Sequence, residues 1–262
     1  MTTSIRFEET PLLAFVLARA DDGLVLGHRL SEWCGHAPML EEDIALANVA
    51  LDLIGQARSL YDYAARLAGT DLAGNPLTED HFAYRRDVTG YGNLLLVERP
   101  NGDFAQTIAR QVLFSAMNDP WWRAMMGSSD ETLAAVAAKA EKETAYHLRH
   151  AAEWLIRLGD GTDESHARAQ AALDELWPYT GELFEADAAE RALIESGVAV
   201  DPASLRGTWD RTLDAVLAEA TLTRPADGWM QRGGRAGRHS EPLGFLLAEL
   251  QYLQRTHPEA TW

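Results

Sequence analysis

Cysteine, basic residues and long apolar runs are all scarce in this sequence. Cys34 is the one cysteine in 262 residues, so the chain closes no disulfide on itself and builds no thiolate zinc or iron–sulfur site alone. Lysine and arginine number 23 against 40 aspartates and glutamates, a formal charge of −17 at pH 7. That excess repels a phosphate backbone and an anionic bilayer, so neither nucleic acid nor membrane is expected as a partner. No apolar run approaches the ~18 residues of a membrane span. The opening residues, Met1 to Thr10, lack the apolar core of a signal peptide, and a soluble, cytoplasmic chain is expected. Strand-like alternation is scarce as well. Without a repeat of solenoid length or a Pro/Ser-rich linker, a single domain over residues 1–262 is expected.

What the sequence does have is apolar residues at helical spacing, within a 47% hydrophobic composition anchored by eight Trp, seven Tyr and seven Phe. A first helix is expected from about Thr10 to Trp33, with Pro11 just inside its start and Gly35 and Pro38 beyond its end. A second runs from about Glu41 to Ala68. Its acidic first turn, Glu41, Glu42 and Asp43, suits the helix dipole, and Gly69 closes it. Helices of this length are roughly 30–40 Å long, which is typical of a bundle. Residues 70–101 are broken by glycine and proline around a short helix near 78–87 and the apolar patch Leu94 to Val97. Long helices follow from Asp103 to Met126, where Pro120 is placed to kink the chain, and from Asp130 to Leu158. Further helices are expected at 165–196, bent at Pro178, at 202–220, and from Pro242 to Arg255. The fold class is all-α: a four-helix bundle with additional C-terminal helices.

Such bundles can carry a carboxylate-bridged di-iron site. It takes a Glu from each of two helices and a Glu-x-x-His from each of the other two, because residues three apart share a helix face. The first helix offers Glu32. The second offers Asp52, but three residues on stands Gly55. The third opens on Asp103 and Phe104 and has no carboxylate from there through Asn118. The fourth offers His147, with Thr144 three residues earlier; Glu143 is rotated about 100° from Thr144. No intact Glu-x-x-His occurs in the four long helices. Three readings of Glu32, Asp52 and His147 stay open: ordinary surface or core residues, a metal-free polar cluster joined by Arg29, or a metal site with unusual ligands. His28, His36 and His81 are isolated and read as structural or solvated. Trp121-Trp122 and Trp177-Pro178-Tyr179 read as core or interface packing.

Several stretches resemble the C subunits of bacterial phenylacetyl-CoA epoxidases. They are Leu30-Ser-Glu-Trp-Cys-Gly-His-Ala-Pro38, Asp43-Ile-Ala-Leu-Ala-Asn48, Leu51-Asp-Leu-Ile-Gly-Gln-Ala-Arg58 and Asn93-Leu-Leu-Leu-Val-Glu98, then Tyr146-His-Leu-Arg149, Trp154-Leu-Ile-Arg-Leu-Gly-Asp-Gly-Thr162 and Leu250-Gln-Tyr-Leu-Gln-Arg255. The similarity runs from the first helix to Trp262. It implies a ferritin-like fold and a place in aerobic phenylacetate catabolism. It extends faintly to the homologous catalytic A subunit, which carries di-iron. Against that pattern Glu32 and His147 match ligand positions, and Asp52 is a shortened Glu. Gly55 stands where a His is expected, Thr144 where a Glu is, and Phe104 where the third helix would give its carboxylate. The resemblance thus implies a di-iron site reduced to a metal-free remnant, with Arg29 or a protonated His147 as counter-ion.

The implied assembly is a multicomponent monooxygenase. A reductase subunit with flavin and iron–sulfur passes electrons from NADPH to di-iron in the A subunit, where O2 is split and one oxygen adds to the ring of phenylacetyl-CoA as an epoxide. The C subunit would be non-catalytic, with no cofactor of its own. It would pair with A as a heterodimer inside a higher hetero-oligomer that includes a further small subunit. The alternatives are an independent di-metal oxidase or iron-binding ferritin-like protein, and a free-standing coenzyme A module. For the last, the run Arg232-Gly-Gly-Arg-Ala-Gly-Arg238 is the relevant feature. It lacks the P-loop signature, but Arg232, Arg235 and Arg238 suit carboxylate or phosphate. They read as contacts to coenzyme A or an acidic partner, or as a solvated basic loop.

Overall fold

In a computed structural model the described residues are 4–258 and 260, without the side chain of Ala188; Trp262 lies outside them. Three of the long helices, the second excepted, begin on side-chain caps that the sequence supplies. Thr10 accepts a hydrogen bond from the Leu13 N–H at 3.2 Å and starts α1 (Pro11–Ser31). The second helix, α2 (Leu40–Ala68), has the acidic first turn and ends at Gly69 with φ +69°. A short α3 (Glu79–Tyr84) follows, then one 3₁₀ turn at Val88–Gly90. Asp103 caps α4 (Phe104–Met125) and Asp130 caps α5 (Glu131–Gly159). The chain continues through α6 (Asp163–Leu176), α7 (Ala188–Glu195), α8 (Arg206–Glu219), α9 (Glu241–Leu250) and α10 (Tyr252–Thr256). Among the described residues the fold is all-α, with one isolated bridge between Thr70 and Pro76. No helix among them is long and apolar enough to cross a membrane.

The bundle is two helix pairs, α1 with α2 and α4 with α5, joined where α2 meets α5. Close approach of α1 to α2 needs glycine. A Cβ on Gly23 would stand 2.9 Å from the Leu53 carbonyl oxygen, and one on Gly27 would stand 2.9 Å from Ile54 and 3.0 Å from the Ala50 carbonyl. The core joins the apolar face of every long helix and reaches Leu243, Leu246 and Leu247 of α9. α4 continues through Pro120 to Met125.

Two expected helices are interrupted. Over 165–196 the chain does not merely bend at Pro178; it leaves the helix at Leu176. Two 3₁₀ turns follow, Trp177–Tyr179 and Gly181–Phe184, and Asp187 caps the separate α7. Pro178 lacks the N–H a helix requires, and Glu182 turns inward to accept from the N–H groups of Gly233 (2.6 Å), Gly234 (2.8 Å) and Leu95 (3.0 Å). The segment from Pro242 to Arg255 breaks at Gln251, whose side-chain amide donates to the carbonyls of Ala83 and Arg86 at 3.2 and 3.0 Å.

The irregular segments are tied to the bundle by buried charge. Asp21 and Asp22 sit in the middle of α1 with almost no exposure. Asp21 pairs with Arg86 and accepts from the Tyr61 hydroxyl (2.5 Å) and the Gly92 N–H (2.8 Å). Asp22 pairs with Arg235 at 2.6 Å and accepts from the Leu94 N–H at 2.8 Å. Glu98 and His239, both fully buried at their side chains, meet at 2.8 Å. The second ring nitrogen of His239 donates to the Tyr91 carbonyl at 2.8 Å, so both nitrogens face acceptors and the ring is held as imidazolium. Burial alone would lower the pKa of His239. The hydrogen bonds to Glu98 and to the Tyr91 carbonyl, with the charges of Glu98 and Asp21, outweigh it and raise the pKa above its ordinary value.

Breaking the Asp21 pair leaves a buried carboxylate without its cation. Arg86→Met is therefore expected to lower stability by about 3–5 kcal/mol in urea unfolding. For His239, a folded pKa above the unfolded value of about 6.5 means that the native state holds the proton more tightly. Its stabilisation is complete below about pH 6.5 and is lost as pH rises through the raised value. Between pH 6 and 9 the wild-type chain should lose more unfolding free energy than His239→Gln; equal losses would show that the ring carries no such charge.

Candidate functional site

Asp52 and His147 meet across the seam of α2 and α5. His147 is buried on α5, and its Nε2 lies 3.0 Å from Asp52 Oδ2. Burial pushes the imidazole below its ordinary pKa, against the opposing hydrogen bond and charge of Asp52 and the charge of Glu143. At neutral pH the ring is therefore uncharged and donates through Nε2. It is not the protonated counter-ion expected from the sequence; burial without a second acceptor makes the difference from His239. Thr144, one turn earlier, is buried with its hydroxyl on carbonyls of its own helix, Ala140 (3.1 Å) and Glu141 (3.2 Å). Glu143 accepts from Gln56 at 2.9 Å. Gly55, one turn beyond Asp52, has nothing within 4 Å of where a Cβ would stand.

Glu32 lies at the other end of the expected constellation and does not join this pair. Its two oxygens accept from Arg29 (2.8 Å) and Asn101 (3.0 Å). Arg29 is fixed in turn by the carbonyls of Glu98 (3.1 and 3.2 Å) and Pro242 (3.0 Å). The expected cluster of Glu32, Asp52 and His147 is thus two separate pairs, because a guanidinium anchored to distant carbonyls holds Glu32 at the half-open end of α1. Phe104 packs edge-on against Trp33 and Trp154, with centroids 6.0 and 5.1 Å away. Nearby, Arg110 is buried and donates to Asn101 at 2.6 Å and to the Arg99 carbonyl. Burial, with the charges of Arg29 and Arg99, pushes its pKa down to about 9 despite the opposing charge of Glu32.

This donor set does not fit an iron pair. Gly55, Thr144 and Phe104 offer no strong ligand, and Glu32 and Asp52 are held by different internal partners. Among the described residues no group of three or more His, Cys, Asp and Glu is arranged to hold a metal ion.

The arginine loop is turned inward at its centre. Arg235 donates to Asp22 and to the carbonyls of Ala18 and Gly92 (2.9 and 2.8 Å), so it is a pin between the loop and α1. The carboxylate that the loop's glycine N–H groups recognise is the chain's own Glu182. A Cβ on Gly234 would stand 2.2 Å from the Asn93 carbonyl oxygen. Arg232 is exposed and pairs with Glu185 at 2.8 Å, and Arg238 is exposed. Sequence reasoning missed Asp21, Asp22, Arg86, Glu98, Glu182 and His239. A signal existed for the first two, since adjacent aspartates inside a helix that is apolar around most of its circumference have no solvated face to occupy.

The comparisons with known proteins agree with one another. A family model described as "Phenylacetic acid catabolic protein" matches residues 2–262. Over 251 residues the chain is 50% identical to an Escherichia coli (strain K12) protein, named as the C subunit of 1,2-phenylacetyl-CoA epoxidase, covering 96% of this chain and 99% of that protein.

Removing the His147 ring leaves a cavity and strips Asp52 of its donor. His147→Ala should cost about 1–3 kcal/mol in chemical denaturation. His28 is half-buried, with its pKa lowered by burial, so the exposed His36 is the control, with an expected change within about 0.5 kcal/mol for His36→Ala. Because the folded pKa of His147 is depressed, its contribution is present above about pH 6.5 and is lost on acidification through the folded value. The cost of His147→Ala should therefore shrink as pH falls from 7 to 5; a cost independent of pH would mean that packing alone is lost.

Proposed function

The chain belongs to the phenylacetic acid catabolic protein family, and on that premise we propose that it is the non-catalytic structural subunit of a cytoplasmic, multicomponent phenylacetyl-CoA epoxidase. The supporting observation is the separation of the two carboxylates. Glu32 is neutralised by Arg29 and Asp52 is bonded to a neutral His147, with Phe104, Gly55 and Thr144 at the remaining ligand positions. Such a frame keeps the helix arrangement of an oxygenase without its donors. The oxygen chemistry then belongs to a homologous A subunit holding di-iron, fed with NADPH electrons by a flavin and iron–sulfur reductase, with a further small subunit in the assembly.

What this chain would supply is stiffness. Its charge pairs fix loops to helices, and α1 and α2 are interlocked through Gly23 and Gly27. An active site must be held to within ~0.5 Å, which takes supporting groups that do not move. A second bundle laid against the partner's ligand helices provides such support.

The test has two parts. The purified chain, loaded with Fe(II) and desalted, is expected to retain far less than one iron per chain. Two tightly held irons would replace this reading with that of an independent di-metal oxidase. With reductase and NADPH but no A subunit, phenylacetyl-CoA should yield neither epoxide nor its ring-opened product. Co-expression with an A subunit should raise that subunit's solubility and restore turnover.

A further inference from the structure

The outer face of the first half of α2 carries exposed aliphatic side chains, before the charged Arg58 and Asp62 take over the same side. Leu40, Ile44 and Leu51 are 71%, 55% and 66% exposed. At intervals of four and seven residues they line one side of the helix. The opposite side carries Leu46, Val49, Leu53 and Leu60 into the core. One turn beyond Leu51 the stripe meets the open space over Gly55. Beside it stands Asp52, its side chain 37% exposed and bonded to His147 through one oxygen. The face is therefore a ridge of aliphatic side chains, a gap and a carboxylate, all on one rigid 29-residue helix.

An aliphatic ridge on the outer side of a helix whose other side is buried calls for a second layer over that half. Charge selects which one. α2 carries Glu41, Glu42, Asp43, Asp52 and Asp62 against Arg58 and Arg66, and the whole chain carries −17. A second copy would use the same patch on both sides and set one acidic helix on another, which an interface disfavours. A chain of different sequence has no such conflict if it brings aliphatic side chains flanked by basic ones.

We propose that this face of α2 docks a helix of a different subunit. That helix packs aliphatic side chains on Leu40, Ile44 and Leu51, fills the gap over Gly55, and presents a Lys or Arg to Asp52. This rests on reading the chain as the structural subunit of an epoxidase assembly, and it names the surface and the chemistry of its partner. The missing side chain at Gly55 becomes the recess that admits the partner's ridge. Phe245, Tyr252 and Leu253 on α9 and α10 form a second exposed apolar group, with the exposed Glu249 among them, and serve as the comparison surface in the test.

The full-length chain is titrated with an A subunit, and association is followed by analytical ultracentrifugation. Ile44→Glu and Leu51→Glu should each weaken association by about tenfold or more. Both sites are exposed, so the thermal midpoint of the isolated chain should stay near wild type. Asp52→Asn should flatten the salt dependence of association, and Phe245→Glu should leave the affinity unchanged. Wild-type association that is indifferent to Ile44→Glu and Leu51→Glu overturns the proposal while leaving the subunit reading intact. Self-association of the wild-type chain that Leu51→Glu abolishes assigns the face to a second copy and also overturns it. Absence of any association between the wild-type chain and the A subunit removes the subunit reading, and this proposal with it.

Discussion

Two adjacent carboxylates in the middle of a buried helix set the terms for the rest of this fold. Asp21 and Asp22 lie on α1 among Val16, Ala20, Val25 and Leu26, with almost no exposure to solvent. An uncompensated buried carboxylate is too costly for a domain of ordinary stability. Each therefore needs a cation and hydrogen-bond donors, and the long helices supply only the Tyr61 hydroxyl to Asp21 and the more distant Arg19 to Asp22. The remaining donors come from the irregular chain: Arg86, Gly92 and Leu94 from the stretch after α3, and Arg235 from the glycine-rich loop. Loops that would otherwise drape over the bundle are fixed by its interior. Glu98 with His239, and Glu182 with Gly233 and Gly234, repeat the arrangement one layer out.

The same logic separates what could be read along the chain from what could not. The long helices were legible because their signals are local: Thr10, Asp103 and Asp130 as caps, acids in the first turn of α2, and Gly69 at its end. The break after Leu176 was not. Pro178 announces a disturbance, but the inward turn of Glu182 answers to donors some fifty positions away. At the candidate site, the residues that matter were legible and their grouping was not. Glu32 and Asp52 look equivalent in sequence. Only the anchoring of Arg29 by carbonyls 69 and 213 positions distant shows that they belong to different pairs. Arg235 was singled out for its charge, and its charge is indeed what matters, but it faces Asp22.

Carboxylates in and at the ends of a helical bundle take positive charge or hydrogen-bond donors, and here these are distributed. Arg29 serves Glu32, a neutral imidazole serves Asp52, and Phe104 with Trp33 and Trp154 occupies the end of the bundle with hydrocarbon. Arg110, desolvated beside Asn101, shows the cost of crowding guanidinium groups into one corner, where its proton is held less firmly than an arginine's usually is. Histidine plays opposite parts in the two halves of the molecule. His147 is buried as a neutral donor and His239 as a cation, and the difference follows from how many acceptors each ring faces.

The pairing of Asp22 with Arg235 spans 213 positions, and that distance has a bearing on synthesis. During synthesis α1 to α5 are made before the glycine-rich loop, and α2 to α5 can begin to gather around α1. The Asp22 carboxylate then has only Arg19, 3.9 Å away on the same helix, and gains its 2.6 Å partner when the glycine-rich loop is made. Closing the bundle around α1 before that loop arrives would bury a carboxylate short of its main partner, so tight packing is favoured once the loop is in place. A chain cut short before residue 235 is therefore expected to pack less tightly than one that contains it, because Asp22 is left without its hydrogen-bonded cation.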